Sequence, residues 1–206
     1  MKFWKLLRTI GLSGLVSVQL AYAQDASVAE LRAELEAMYV SDQAQRLEMR
    51  AVAQKFGHNS AEYHALWATQ HVADEANIKR LVDIVESSGW PKQSTLGWKA
   101  ASAAFLVLQH STPAHQRRFL PVVREAVAQG EVRPSSLALL EDRVLVGQGK
   151  PQIYGSQLIT DPTTGKNSIQ PIADEMDVDK RRAAVGLEPL AEYAKRFGVI
   201  YEAPKP

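Results

Sequence analysis

Ala100-Ala101-Ser102-Ala103-Ala104-Phe105-Leu106-Val107-Leu108-Gln109-His110 is the stretch on which the fold turns. Its apolar residues fall on every side of a helical wheel, so a helix over about Leu96 to Gln109 has little polar face to offer water. Such a helix belongs at the centre of a bundle. Its four alanines let neighbouring helices approach closely. The stretch predicts a mainly α protein, a helical bundle around a buried central helix.

Working back from it, Gly89-Trp90-Pro91 is a firm break. Two long helices precede the break. Ser27 with Glu30 has the spacing of a capping box and opens a helix to about Phe56, stopped by Gly57. Leu31, Leu35, Met38, Met49, Val52 and Phe56 share broadly one face of it. Asn59 with Glu62 repeats the signature for a second helix, to about Ser87. Its stripe is Leu66, Val72, Ala73, Ile78, Leu81, Val82 and Val85. The short Gly57-His58-Asn59-Ser60 turn makes the pair an antiparallel hairpin.

Working forward, Thr112-Pro113 opens a fourth helix that ends before Gly130, and Pro134 opens a fifth to about Val146. The period then changes. Gln152 to Thr160 and Ser168 to Ile172 read as strands on either side of Asp161-Pro162-Thr163-Thr164-Gly165-Lys166, one small β-hairpin at about 152–172. Short helices follow at Asp177–Val185 and Pro189–Phe197, and the Pro-rich end is expected to fray.

The amino end bears on compartment. Lys2, Lys5 and Arg8 precede an uncharged run from Thr9 to Ala23 that ends Ala21-Tyr22-Ala23, the layout of a secretory signal peptide with cleavage after Ala23. The run is shorter than the roughly 20 residues of a membrane span, so no stable span is expected after cleavage. Lipid attachment would need a cysteine, and the chain has none. Cleavage removes three of the 24 basic residues and none of the 23 acidic ones, so the net charge of +1 becomes −2. No dense basic patch is present, and nucleic acid is not an expected partner. Residues 24–206 suit a single domain that buries roughly 70% of its unfolded surface without disulfides. Export without cysteines points to a periplasmic or secreted bacterial protein.

Several polar residues sit oddly in so apolar a chain. Asp142 and Arg143 lie inside the apolar fifth helix, where at least one must border the core. A buried charge costs several kcal/mol unless paired. Arg143 either ties helices together or clamps an anion, and Asp142 either joins that pairing or serves as a second carboxylate. Gln109 and His110 end the central helix, where His110 either caps orphan carbonyls or acts as acid, base or donor. Alternation places Gln152, Tyr154 and Ser156 on one side of a strand, with a bulge at Gly155 able to bring Gln157 round to them. These are recognition groups or an ordinary half-solvated face. Asp42, Gln43 and Arg46 share one turn, as do Asp74 and Asn77. They are solvated pairs, or they face one another across the helical hairpin. Lys180, Arg181 and Arg182 follow four acidic residues and are expected to pair locally.

Metal-binding, nucleophile-elbow and phosphate-loop motifs are absent, and a cysteine nucleophile is excluded, so neither metal nor cofactor is expected. The series Asp42-Gln43-x-x-Arg46, Gln109-His110, Asp142-Arg143 and Gln152-x-Tyr154-Gly155-Ser156-Gln157 resembles an uncharacterised bacterial domain-of-unknown-function family, in which the last motif has Thr where Ser156 stands. The likeness spans nearly all of residues 24–206. It implies one domain and one site at these polar residues, and no activity.

Two functions remain open. The first is a binding or structural module with a polar site between helices and hairpin, taking a small molecule, peptide or glycan through Asp42, Arg46, Asp74, Asn77, Gln109, Gln152, Tyr154 and Gln157. The second is an exported hydrolase with His110 as acid or base, Asp142 as its orienting carboxylate and Arg143 as an electrophilic clamp.

Overall fold

A computed structural model describes residues 11–161 and 163–202, with side chains from Asp25 onward. The basic residues expected to open a signal peptide, and the last four residues of the chain, lie outside the described residues.

The protein is mainly α, with one small antiparallel β-hairpin. Helix α1 spans Gly11–Phe56 and α2 spans Ala61–Ser88. Ser27 and Glu30 therefore lie inside α1 rather than at its start. The preceding run is rich in Leu, Val and Ala, and a formed helix propagates cheaply through such residues. At α2 the cap is Ser60, one residue after Asn59, with its side chain accepting from the Tyr63 N–H. The two helices run antiparallel, and cross-links join them from Glu34–Arg80 through Ser41–Asn77 to Arg46–Asp74.

The expected central helix is present, starting two residues later than expected, and a short additional helix precedes it. The short helix is α3, Gln93–Leu96, and the central one is α4, Trp98–Gln109. Gly97 separates them at φ 82°, a left-handed conformation that no helix can continue and that glycine adopts without a Cβ penalty. Then come α5, Pro113–Ala128, capped by Thr112, and α6, Pro134–Val146, both opened by proline as expected.

α4 is the buried centre. Ala100, Ala103, Ala104 and Leu108 are fully enclosed, and α4 packs chiefly on α1, with α2 and α5 alongside. Leu35, Leu81, Val123 and Leu140 close the same core from four other helices. Burying each such Leu or Val contributes about 1.5–3 kcal/mol.

The apolar stripes of α1 and α2 are buried alongside α4 and at Met49 beyond its end, and are exposed toward the tip of the helical hairpin. Met38, Met49, Ile78 and Leu81 are enclosed, whereas Phe56 is 49% and Val72 70% exposed. α4 stops at Gln109, so the hairpin's far end projects past the core, and helical spacing alone does not show where a partner helix ends.

The strands are shorter than expected. β1 is Leu158–Thr160 and β2 is Asn167–Ile169, paired Leu158↔Ile169 through Thr160↔Asn167. Residues 152–157 form no strand, apart from a single parallel bridge from Gln152 to Ile172. A 3-10 turn at Glu175–Asp177, α7 at Val178–Ala184 and α8 at Leu190–Lys195 complete the chain. Among the described residues no helix is long and apolar enough to cross a membrane.

Candidate functional site

Where α4 ends, His110 takes the C-cap position and its backbone N–H donates to Leu106 O at 2.9 Å. The imidazole turns to α1 and does not cap a carbonyl. Its Nδ1 lies 2.8 and 3.1 Å from the two oxygens of Asp42, whose side chain is 1% exposed. Gln43 Nε2 donates to the same carboxylate at 2.7 Å, and Arg46 Nη2 lies 3.6 Å away. Burial pushes the Asp42 carboxyl up, but the His110 hydrogen bond and charge, with Gln43 and Arg46, outweigh it and hold it below its ordinary value. An ionised carboxylate only accepts, so the Nδ1 of His110 carries the proton. With Nδ1–H directed at Asp42, the neutral form of the ring has its lone pair on Nε2, for which no protein partner is found among the described residues. The His110 side chain is 22% exposed.

Across the hairpin, Arg46 Nη2 donates to both oxygens of Asp74 at 2.7 Å. Gln70 Nε2 donates to Asp74 at 2.7 Å, and Asn77 Nδ2 to Ser41 Oγ at 2.9 Å. Of the two hairpin arrangements open from sequence, the cross-hairpin one holds. Asp42, Arg46, Asp74, Gln70, Asn77 and His110 form one cluster beside the end of the core. The Arg46 guanidinium also sits 5.9 Å from the Trp67 ring centre, in cation–π range.

Arg143, on α6, has no hydrogen bond or ion pair among the described residues, and its Nε is buried without an acceptor. Burial lowers its pKa from the ordinary guanidinium value, Tyr193 raises it by a smaller amount, and the charge of nearby Arg46 lowers it. Among the described residues no carboxylate pairs with Arg143 to offset its burial. Gln109 and Gln70 add two buried acceptors without donors, their Oε1 oxygens, and Arg46 Nε is another buried donor without an acceptor.

Asp142, the neighbour of Arg143, points into the loop that follows α6. Its fully buried carboxylate accepts from the backbone N–H groups of Ile153 at 2.7 Å, Tyr154 at 3.0 Å and Ser156 at 2.9 Å. Gln152, equally buried, holds the ends of that loop together. Its Nε2 donates to the carbonyls of Gln157 and Gln170, and its Oε1 accepts from the Gln157 N–H.

A family model described as a family of unknown function (DUF6624) matches residues 29–203. The chain belongs to that family. No curated protein and no solved structure matches it.

The DUF6624 match covers all the polar residues singled out from the sequence, and the fold sorts them into two groups. Asp42, Arg46, Asp74, Asn77 and His110 come together, with Gln109 next to His110 in the chain. Gln152 and Gln157 do not join them: the Gln152 side chain bonds to backbone of Gln157 and Gln170, and the Gln157 amide donates to Ser156 Oγ and Leu139 O. Tyr154 is not part of the cluster either. Burial raises its phenol, followed by the charges of Glu141 and Asp142, and Arg124 lies near it as well. The expected alternation fails because 152–157 is not extended strand; its amides turn inward to one carboxylate.

The orienting carboxylate of His110 is Asp42, not Asp142. Gln70 was missed, although it stands four residues before Asp74 on the same face of α2. The basic trio was misread in part. Lys180 pairs with Asp177, but Arg181 donates to the carbonyls of Ile153, Ala173 and Asp174, and Arg182, 1% exposed, to those of Tyr154 and Glu188. Among the described residues no group of three or more His, Cys, Asp or Glu side chains is placed to hold a metal ion.

Proposed function

We propose that the protein is an exported bacterial binding module whose polar site, at the junction of α1, α2, α4 and α6, takes a small anionic ligand. One observation carries the reading: Arg143 is a half-buried cation whose guanidinium has no acceptor among the described residues, its Nε being buried without one. A guanidinium held out of bulk water gains most from a bidentate carboxylate or phosphate oxygen pair. Arg46 is already committed to Asp74, which leaves Arg143 to receive the ligand. His110 Nε2, on a ring bonded through Nδ1 to Asp42, and the buried Gln109 Oε1 are further hydrogen-bonding groups at the end of α4. The export part of the reading rests on the layout of residues 1–23.

Calorimetric titration of residues 24–206 with succinate and with inorganic phosphate tests it. Arg143→Gln is expected to weaken binding of the preferred anion by at least about tenfold, the scale of one charge-assisted pair. Arg143→Lys, which keeps the charge and loses the fork, should fall between. Equal heats for the wild-type and Arg143→Gln proteins would remove the reading.

A further inference from the structure

We propose that this site hydrolyses its ligand, with His110 as general base on a water molecule that attacks a carboxylic ester whose neighbouring free carboxylate is held by Arg143. The inference rests on the anion-binding reading and adds turnover to it.

Asp42 and His110 form a buried carboxylate–imidazole pair with one nitrogen tied down and the other open. The pair is assembled from distant parts of the chain, 68 residues apart. Three side chains serve the Asp42 carboxylate, namely His110, Gln43 and Arg46, so the ring is fixed in position as well as in tautomer. A histidine that only capped α4 would face the helix's own carbonyls; this one faces α1. With Nδ1–H fixed on Asp42, the basic lone pair lies on Nε2, the side a substrate or water can reach.

Among the described residues no side-chain nucleophile is in place, and no serine or threonine hydroxyl is bonded to His110. The nearby hydroxyls are occupied, Ser111 Oγ on Leu108 O and Ser41 Oγ on Met38 O and Asn77. The chain has no cysteine. Water is therefore the attacking group. Nε2 takes one proton from water as the water oxygen bonds to the ester carbonyl carbon. The tetrahedral intermediate collapses with cleavage of the carbon–oxygen bond, and the departing alkoxide receives the proton held on Nε2. Ester and water give acid and alcohol, and His110 returns to its starting state. Asp42 is a positioning residue that also stabilises the imidazolium formed in passing, and Arg143 binds the substrate's spare carboxylate.

The test uses residues 24–206 with 4-nitrophenyl hemisuccinate, which carries the free carboxylate, and 4-nitrophenyl acetate, which lacks it. Release of 4-nitrophenolate is followed for wild type, His110→Asn, His110→Gln, Asp42→Asn and Arg143→Gln. The Asn amide mimics Nδ1, so His110→Asn keeps a donor for Asp42 while removing the base, and thermal melting confirms that it folds. Wild type is expected to favour the hemisuccinate. His110→Asn should lose about 100-fold in kcat with KM little changed, the scale of one general base. His110→Gln should lose as much. Asp42→Asn should lower kcat at constant KM, and Arg143→Gln should raise KM and abolish the preference for the hemisuccinate. Wild-type release no faster than that of His110→Asn overturns the proposal. If succinate then still binds in an Arg143-dependent way, the anion-binding reading stands alone; if succinate and phosphate do not bind at all, both readings fall.

Discussion

Asp42 and Asp142 are both removed from water, and each is kept from becoming an uncompensated charge in a different way. Asp42 is met by side chains and Asp142 by three backbone N–H groups. The two arrangements give different expectations. Asp142→Ala leaves three inward amides without their acceptor and should cost roughly 3 kcal/mol in urea unfolding, with the 152–157 loop released. An unchanged urea midpoint would show that the loop holds itself. For Asp42 the expectation concerns pH. Its folded carboxyl is held below the ordinary value, so the unfolded chain takes up the proton first as pH falls. The stabilisation is complete above the ordinary carboxylate range and is lost as pH falls through the folded value. Asp42→Asn should therefore narrow the difference in urea midpoint between about pH 7 and about pH 3 relative to wild type. A wider difference in the variant would contradict the sign. Both aspartates stood out in the sequence by type and place. Their partners did not, since the Asp42–His110 bond spans 68 residues and the donors to Asp142 are backbone N–H groups that carry no side-chain signature.

At the level of elements, the segment between α6 and β1 shows how a local pattern misleads. Gln152-Ile153-Tyr154-Gly155-Ser156-Gln157 has the alternation of a strand, yet it wraps a carboxylate and packs on α8. Gly155 is the pivot. Its φ is 73°, and a Cβ there would stand 2.9 Å from both terminal carbons of Leu190. Gly155→Ala combines left-handed strain with a clash against a fully buried side chain. It should cost about 1–3 kcal/mol, read as a lower melting temperature, with loosened contact between loop and α8. A melting temperature equal to wild type would mean that α8 shifts freely. Tyr193, whose hydroxyl donates to Ser156 O at 2.8 Å, reports on the same contact. Helix ends marked by proline were legible: α5 and α6 begin where Pro113 and Pro134 fix φ and need no N–H. The short helix that ends at Gly97 was not, because Lys92-Gln93-Ser94-Thr95 carries no apolar period and no side-chain cap.

For the whole molecule, the site lies where the core stops. α4 ends at His110 while α1 and α2 continue past it, so a polar cluster begins at the last buried layer and faces the projecting half of the hairpin. That placement keeps Asp42 dry enough to hold a fixed imidazole and leaves His110 partly open. The expectation of export is tested at the same scale. Expressed in a bacterial host with its full sequence, the protein should be recovered from the periplasm or medium with Gln24 as its amino terminus by intact-mass measurement. Recovery from the cytoplasm with Met1 in place would remove that expectation. The helical class, the buried Ala-rich centre, the two-helix hairpin and the proline-opened helices were determined by the sequence alone, because periodicity and backbone chemistry act over a few residues. Tertiary structure alone decided that His110 pairs with Asp42, that Asp142 organises a loop, and that Arg143 has no acceptor among the described residues. Those outcomes depend on which groups far apart in the chain end up within 3 or 4 Å once water is excluded, and no local pattern encodes that distance.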